Sequence, residues 1–321
     1  MHVLNFEEGL YEIEKKISEL KSITDGGDTT FLEVINLEKQ LIKKLEELYK
    51  NLTPWQKVQV ARHPNRPHGL DYIDTIFEDF FELCGDRCNA NDNAIIGGIG
   101  KIDNQSVMVI AHEKGHDIKS RAKHNYGMGL PQGYKKAYRL MEVANELKIP
   151  VLTLIDTSGA YPGVISEEQG QGHVLAKCLE LCSSLEVPNI SVIIGEGGSG
   201  GAISLALSNV VLMLEHSIYS VISPEGCAAI LWKDQNFKER AAESQKLTAQ
   251  DLHKFGMINE IIPEPIGGSH KFRDQAMNTT KKYIMKHLKK LIKQDAYMLK
   301  KTRRQKFLDM GNNIPVHKKE Y

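Results

Sequence analysis

Residues 195–201 carry the sequence GEGGSGG, which contains five glycines. They follow the apolar run 190–194 and precede the apolar segment 202–207, so the pattern predicts a turn between a buried strand and a helix. Glycines at such a junction leave main-chain N–H groups uncovered at the helix N-terminus, where they can bind an anion or a developing negative charge. This loop is the first candidate site.

The same loop matches two unrelated short motifs. Gly195, Gly197 and Gly200 form the dinucleotide pattern G-x-G-x-x-G, but only about eight residues separate the loop from the next predicted strand, fewer than a dinucleotide-binding crossover helix needs. Ser199 lies in the pattern G-x-S-x-G of a nucleophile elbow. A serine hydrolase would pair it with an acid and a histidine, for which Asp251 with His253 or His270 are the candidates. Serine hydrolysis is the alternative function.

A third motif, H-E-x-x-H, spans residues 112–116. It binds zinc when one helix presents both histidines on the same face. Here it follows the predicted strand 107–111 and contains Gly115, which favours a turn. We therefore predict no metal site on this chain.

A second glycine loop, residues 156–163 with the sequence DTSGAYPG, follows the predicted strand 151–155. Two such loops at the ends of neighbouring strands would aim N–H groups at one oxygen and form an oxyanion hole. We expect the substrate to be bound by glycines and a tyrosine of the two loops: Gly159, Tyr161, Gly163, Gly197 and Gly198.

Residues 114–139 are rich in lysine, arginine and histidine, and Lys119 and Arg121 lie among them close to the glycine loops in sequence. Because the chain has a formal net charge of zero, this local positive charge suits a phosphorylated or carboxylated substrate. We therefore add Lys119 and Arg121 to the candidate substrate-binding residues.

Composition limits the class of protein. The 321 residues are 41% hydrophobic and 26% charged, as expected for an enzyme-sized globular protein. The zero net charge gives no general argument for nucleic-acid binding, and no apolar run is long enough to span a bilayer. Five cysteines, an odd number, indicate a reducing compartment rather than a disulfide framework. We expect an unexported, soluble protein.

Hydrophobic periodicity divides the chain into four segments. Residues 1–53 predict a helical hairpin broken at positions 26–28, and residues 54–93 a linker followed by a helix over 71–83. Residues 94–270 alternate apolar runs with helices, which indicates an α/β domain whose parallel strands are covered on both faces. Residues 271–321 predict a basic helical tail, with one helix over 281–304.

Longer sequence matches identify a family. The matching segments, of which the run 219–233 is the most specific, are residues 61–67, 70–72, 133–137, 156–163, 194–202, 219–233 and 261–265. Together they resemble the alpha subunits of the carboxyltransferase component of multisubunit acetyl-CoA carboxylase. The chain departs from the usual family pattern at Ser158, where proline is common, and at His116, where arginine is common. The resemblance implies a crotonase-like fold of repeated ββα units.

It also implies a function. The family transfers the carboxyl group of carboxybiotin, carried on a separate biotin carboxyl carrier protein, to acetyl-CoA and forms malonyl-CoA for fatty acid synthesis. By this resemblance, the N–H groups of Gly200 and Gly201 stabilise negative charge on the biotin oxygen, and the released biotin nitrogen takes the acetyl proton. A purely structural subunit, whose partner performs the chemistry, is the other class of function left open.

The resemblance further implies the assembly. The expected partners are a zinc-containing beta subunit, the carrier protein and biotin carboxylase, with alpha and beta forming an alpha2-beta2 heterotetramer. The zinc belongs to the beta subunit, and this chain contains no C-x-x-C pair. The expected compartment is the bacterial cytoplasm or the plastid stroma, without membrane attachment.

Overall fold

The computed structural model describes residues 2–22, 28–88 and 90–312. In this part of the chain an eight-stranded sheet is surrounded by helices. The strands are β1 (Glu78–Glu82), β2 (Ile95–Ile102), β3 (Gln105–His112), β4 (Val151–Thr157), β5 (Asn189–Gly198), β6 (Val210–Leu214), β7 (Ile218–Ser220) and β8 (Glu260–Ile262). The helices are α1 (Glu8–Lys21), α2 (Asp28–Lys50), α3 (Pro54–Ala61), α4 (Gly69–Ile76), α5 (Ile118–Lys123), α6 (Pro131–Glu146), α7 (Val164–Glu168), α8 (Gln171–Ser184), α9 (Ser199–Ala206), α10 (Pro224–Trp232), α11 (Lys238–Gln245), α12 (Ala249–Lys254), α13 (Arg273–Leu291) and α14 (Ala296–Asp309).

The sheet is mixed, with the order β1-β2-β3-β4-β5-β6-β8 and with β7 paired to the end of β5. β1, β2 and β3 run antiparallel, and every pairing from β3 onward is parallel. Asp103 and Asn104 join β2 to β3 with φ angles of 46° and 65°, as a two-residue type I′ hairpin turn requires. The carboxyl ends of β4 and β5 therefore lie side by side at one edge of the sheet.

Apolar side chains cover both faces of the sheet. On one face, α4 and α13 pack through residues such as Ile73 and Leu288 against β3 to β6. On the other face, α6, α8, α9 and α12 pack through residues such as Leu140, Cys178 and Leu205. This confirms the prediction of parallel strands covered on both faces for β3, β4, β5, β6 and β8. For β2 the prediction of a parallel strand is wrong, because the tight turn after Ile102 pairs it antiparallel with β3. The α/β architecture fixes the strand ends that carry the two glycine loops.

The first two helices form the predicted hairpin, and residues 26 and 27 of its predicted turn lie outside the described residues. Leu10 and Leu45 pack in one apolar cluster with Val60 of the following helix α3. The Tyr49 hydroxyl donates to the Glu7 carboxylate over 2.8 Å. The hairpin is thus attached to the body by an apolar contact with a buried hydrogen bond beside it. No helix in the described ranges has both the length and the apolar character needed to cross a bilayer.

Two predictions for residues 54–83 are wrong. The linker contains α3, which begins with a capping box between Thr53 and Gln56 and has proline at its first position. The predicted helix over 71–83 ends at Ile76, and the chain then forms the edge strand β1. Phe77 and Phe80 pack on the sheet core, so tertiary contacts override the helical spacing of the apolar residues there.

Two predicted long helices are each divided in the structure. The helix expected over 167–185 is α7 followed by α8, because Gly170 takes a φ of +78°, which ends one helix and begins the next. The helix expected over 281–304 is α13 followed by α14, whose first turn is capped by Asp295. The division into four segments is tested by nothing in the fold and stays a prediction.

Candidate active site

The loop 195–201 has the predicted strand-to-helix geometry. β5 runs through Gly198, and α9 begins at Ser199, whose φ is +51°. No side chain caps the start of α9. The N–H groups of its first turn, including those of half-buried Gly200 and buried Gly201, have no partner within the helix, as at every helix start. This end of the helix is therefore suited to stabilising negative charge.

The second glycine loop packs directly on the first. A Cβ atom at Gly201 would lie 2.6 Å from both the Ala160 main-chain nitrogen and the Tyr134 hydroxyl, and a Cβ at Gly198 would overlap the main chain of Ser158. Side chains are therefore excluded at both glycines, and the two strand ends approach at main-chain contact distance. The structure brings Gly159, Gly198 and Gly201 together, as the sequence predicted.

The other candidate residues of the two loops lie around the contact between the loops. Tyr161 donates its main-chain N–H to Gly129, 2.9 Å away, and its ring covers Gly163, which precedes α7. Gly197 lies within β5 beneath the ring of Tyr219, where a Cβ would come within 2.8 Å of that ring. These residues shape the loops, and their role in substrate binding stays a prediction.

Ser199 and Gly200 open onto a groove of about 500 Å³. Its other lining residues are mainly apolar and include Ile203, Tyr219 and Val221. Within the described part of the chain no histidine lines this groove. An apolar groove with main-chain donors at one end suits a ring system that carries a polar oxygen.

The candidates for a hydrolytic triad do not assemble around Ser199. Asp251 accepts a 2.8 Å hydrogen bond from Thr248 at the start of α12, and His253 is exposed on the same helix. His270 stacks on His63, with ring centroids 4.0 Å apart. None of the three candidate residues lines the groove beside Ser199. The structure therefore gives the serine-hydrolase alternative no support.

Buried charges, which the sequence analysis missed, lie beneath the loops. Asp156, at the end of β4, accepts the main-chain N–H of Glu196 over 2.9 Å and lies 2.7 Å from the Lys114 ammonium and 2.9 Å from His68 Nδ1. Burial acts to raise the pKa of Asp156, but Lys114 and His68 outweigh it and hold that pKa well below its usual value. Asp156 is therefore an ionised anchor that joins the two strand ends.

Glu196 extends this network to two helices. Its carboxylate lies 2.7 Å from Lys114 and 2.7 Å from Arg62, which follows α3. Arg62 also contacts Glu225, in the first turn of α10, over 2.6 Å. Burial acts to raise the pKa of Glu196, but the two cations lower it overall. The network fixes the base of the glycine loop against α3 and α10.

A second buried ion pair lies against β5 at Ile194, two residues before Glu196. Arg66 is fully buried, donates to the main-chain oxygen of Ile194 over 2.7 Å, and pairs with Glu264 over 2.7 Å. The sequence signal for Arg62 and Arg66 was their place in the matching run 61–67, but the linker prediction assigned that run no site. Both arginines in fact support the strand that leads into the glycine loop.

Of the two basic candidates, only Arg121 reaches the loops. It lines a smaller cavity of about 180 Å³ together with Lys114 and Ser158. Lys119 is exposed on the same helix α5 and does not line that cavity. The fold thus places Arg121, but not Lys119, where it can contact a ligand beside the second glycine loop.

The H-E-x-x-H residues are not presented by a helix. His112 ends β3 and is fully buried, whereas His116 follows the turn and lies 3.1 Å from Asp71. Across residues 2–22, 28–88 and 90–312, no three histidine, cysteine or acidic side chains are grouped as metal ligands. The motif therefore has strand-and-turn geometry, which is not the geometry of a zinc protease.

The burial of His112 leads us to a prediction about how the unfolding free energy depends on pH. Burial lowers the pKa of His112 to about 4, below the value of about 6.5 in an unfolded chain. Between these values the unfolded state binds the proton first, so His112 alone lowers the unfolding free energy by about 3 kcal/mol as pH decreases from about 6.5 to 4. In urea titrations at a series of pH values, we expect His112→Met to reduce this fall in unfolding free energy. The control His253→Gln, at an exposed histidine, should leave the fall unchanged. Equal pH dependence in wild type and His112→Met would refute the burial argument.

The comparisons with known proteins agree with this geometry. Residues 3–311 match a family model described as acetyl co-enzyme A carboxylase carboxyltransferase-like. The chain is 54% identical over 312 residues to the acetyl-coenzyme A carboxylase carboxyl transferase subunit alpha of Paramagnetospirillum magneticum, covering 97% of this chain and 98% of the relative. It is 51% identical to the protein of the same name from Rhodospirillum centenum, with the same coverage.

Solved structures show the same fold at low identity. A transcarboxylase 12S structure aligns with a TM-score of 0.55 and 18% identity over 69% of this chain and 44% of that chain. A chain of the Pseudomonas malonate decarboxylase hetero-tetramer in complex with coenzyme A aligns with a TM-score of 0.55 and 13% identity over 70% of this chain and 88% of that chain. These likenesses confirm the crotonase-like fold that the sequence resemblance implied.

Proposed function

We propose, from the premise that this chain belongs to the family of acetyl-coenzyme A carboxylase carboxyltransferase alpha subunits, that the adjoining ends of β4 and β5 form its part of the active centre. The activity of the family is the transfer of a carboxyl group to acetyl-CoA. The main observation behind this proposal is the main-chain contact between the loops at Gly201 and Ala160, together with a first turn of α9 that no side chain caps.

Gly200 and Gly201 are the proposed catalytic residues. Their N–H groups would donate hydrogen bonds to an oxygen on which negative charge develops as the carboxyl group leaves. Donors that are already fixed need no reorganisation during the reaction, and each contributes roughly 3 to 4 kcal/mol in acyl chemistry. The buried ion pairs of Asp156 and Glu196 supply that rigidity, because they hold the base of the loop from below.

The apolar groove beside these donors fits the ring of carboxybiotin. Tyr219 and Val221 would contact the apolar part of the ring, and Gly200 lies at the end where a polar oxygen would face N–H groups. Carboxybiotin, bound on its carrier protein, supplies the carboxyl group. Gly159, Gly163 and the other loop candidates would shape the acetyl-CoA side of the same edge.

The names of the relatives, as alpha subunits, imply a multisubunit enzyme. We propose that this chain joins a zinc-containing beta subunit in an alpha2-beta2 heterotetramer and receives carboxybiotin from a carrier protein charged by biotin carboxylase. Ile203 and Val221, which line the groove, are 44% and 86% exposed, so a partner subunit would bury apolar surface there. The bacterial origin of the relatives favours the cytoplasm over the plastid stroma.

A serine substitution separates this function from hydrolysis. We expect Ser199→Ala to keep most of the carboxyltransferase activity of the assembled complex, because Ser199 supplies only its main chain to the loop. A fluorophosphonate probe should leave the wild-type chain unlabelled in intact-mass spectrometry. Stoichiometric labelling that Ser199→Ala abolishes would instead identify a hydrolase nucleophile and contradict the proposal.

A further inference from the structure

Two polar residues lie inside strands of the sheet that are otherwise mainly apolar. Thr153 in β4 and Ser191 in β5 are both buried, and their Cα atoms are register partners, so the two side chains lie together on the same face of the sheet. A buried hydroxyl group costs free energy unless it forms hydrogen bonds. Neither residue has a role in the site described above, so the partners of the two hydroxyl groups indicate what the residues do.

Both hydroxyl groups meet the C-terminal end of helix α9. Their oxygens lie 2.7 Å from each other, and each lies 2.9 Å from the main-chain oxygen of Leu205. Leu205 belongs to the last turn of α9, where carbonyl groups have no partner within the helix. The hydroxyl of Ser208, just after the helix, contacts that of Ser191. The two strands therefore supply hydrogen bonds that the end of the helix lacks.

Two further side chains hold the chain where it leaves α9. Asn189, the first residue of β5, donates to the main-chain oxygen of Leu207 over 3.2 Å and accepts the main-chain N–H of Asn209 over 2.8 Å. Lys306 of α14 donates to the main-chain oxygens of Ser208 over 2.6 Å and of Asn209 over 3.3 Å. We call the four side chains that hold this end of α9 the helix-end cluster: Thr153, Asn189, Ser191 and Lys306.

Helix α9 is short enough to move as one body. Its eight residues extend over about 12 Å, and Leu205 lies only about 6 Å along the axis from Gly201. The first turn of the helix packs against Ala160, which follows β4, and the last turn bonds to the hydroxyl groups of β4 and β5. Both ends of the helix are therefore located by the two strands that carry the glycine loops.

We propose that Thr153 and Ser191 are positioning residues for carboxyl transfer and act through the orientation of α9. Without their hydrogen bonds the last turn of the helix shifts, and the N–H groups of Gly200 and Gly201 at the other end turn away from the oxygen that they stabilise. A misplacement of about 1 Å at a reacting centre can cost about a hundredfold in rate, so a smaller tilt is also measurable. The inference rests on the proposed function of these two N–H groups.

Removal of either hydroxyl tests the inference in the assembled complex. We expect Thr153→Val and Ser191→Ala each to lower kcat by about fivefold or more, because the helix donors act on the charge that develops during the reaction. The KM for acetyl-CoA should change by less than about twofold, since ground-state binding of this substrate does not use those donors. Thr153→Ser keeps the hydroxyl and should keep kcat within about twofold of wild type.

The matched control is Thr280→Val in α13. Thr280 is also buried, and its hydroxyl donates to the main-chain oxygen of Ala276 over 2.9 Å. The control therefore removes a buried hydrogen bond of the same kind away from α9. It should lower the unfolding free energy much as Thr153→Val does but leave kcat unchanged. Equal kcat in Thr153→Val and Thr280→Val would overturn the inference and leave Thr153 with a structural role only.

A ¹⁵N-glycine-labelled sample of the chain without its partner gives a measurement that does not depend on activity. Thr153→Val should shift the amide resonances of Gly200 and Gly201, whereas Thr153→Ser and Thr280→Val should leave them in place. Unshifted resonances in Thr153→Val would contradict the inference. If the wild-type complex transfers no carboxyl group, the proposed function fails, and the resonances still test the positioning of α9. The two failures are therefore distinguishable.

Discussion

Gly201→Val should lower the turnover of the assembled carboxyltransferase by about a hundredfold or more. The Cβ atom of valine would lie 2.6 Å from the Ala160 main-chain nitrogen and 2.7 Å from the Gly159 carbonyl carbon, so the main chain of one loop must move. Movement of α9 tilts the N–H donors, and loss of one such donor typically costs on the order of 3 kcal/mol, or about a hundredfold in rate. Malonyl-CoA formation per complex is the measurement.

The control for this substitution is Gly9→Val in α1, where an added side chain meets no atom within 4 Å. It makes the same chemical change far from the loops and should leave turnover unchanged. Size-exclusion chromatography must show that both variants still assemble with the beta subunit. Undiminished turnover of an assembled Gly201→Val complex would mean that this loop does not carry the chemistry, and the site would then move to Gly159 and Gly163 or to the partner.

Arg66→Met should lower the unfolding free energy of the chain by about 3 to 5 kcal/mol, the range typical of a buried ion pair that loses one partner. Glu264 is fully buried, and the loss of Arg66 would leave Ser269 as its main side-chain hydrogen-bond partner. Burial alone acts to raise the pKa of Glu264, and Arg66 contributes most to lowering it. Urea unfolding at pH 7, monitored by circular dichroism, measures the effect.

An exposed ion pair provides the matched control. Lys177 and Glu180 lie 2.7 Å apart on α8 but are 49% and 68% exposed, so Lys177→Met should cost less than about 1 kcal/mol. The double variant Arg66→Met/Glu264→Leu should recover part of the loss, since it leaves no unpaired buried charge. If Arg66→Met were no more destabilising than Lys177→Met, the buried pair would not support the strand as we describe.

The sequence predicted those parts of the fold whose signal is local. β4, β5 and β6 contain near-continuous apolar runs, and the amphipathic spacing in α1 and α2 determined their helical type. β1 and β7 were missed because their pairing partners, not their own sequences, determine them. β1 is an edge strand with Phe81 mostly exposed, and β7 has only three residues, which pair with the end of β5.

In the candidate site, too, the sequence predicted the part with a local signal and missed the part that depends on the tertiary fold. Glycine spacing at two strand ends predicted the contact of Gly159 with the loop 195–201, because parallel neighbours place their carboxyl ends together. The charged network could not be predicted, since Asp156 contacts groups from residues 68, 114 and 196, which only the tertiary fold brings together. Lys119 was predicted beside Arg121 because charge runs carry no information on which face of a helix points inward.

Malonyl-CoA formation after co-expression of this chain with a carboxyltransferase beta subunit is the most direct test of the proposed function. The purified complex, given acetyl-CoA and carboxybiotin, should form malonyl-CoA, and neither subunit alone should do so at a comparable rate. A complex that co-purifies in stable stoichiometry yet forms no malonyl-CoA under these conditions would contradict the assignment of carboxyl transfer to this chain and its partner.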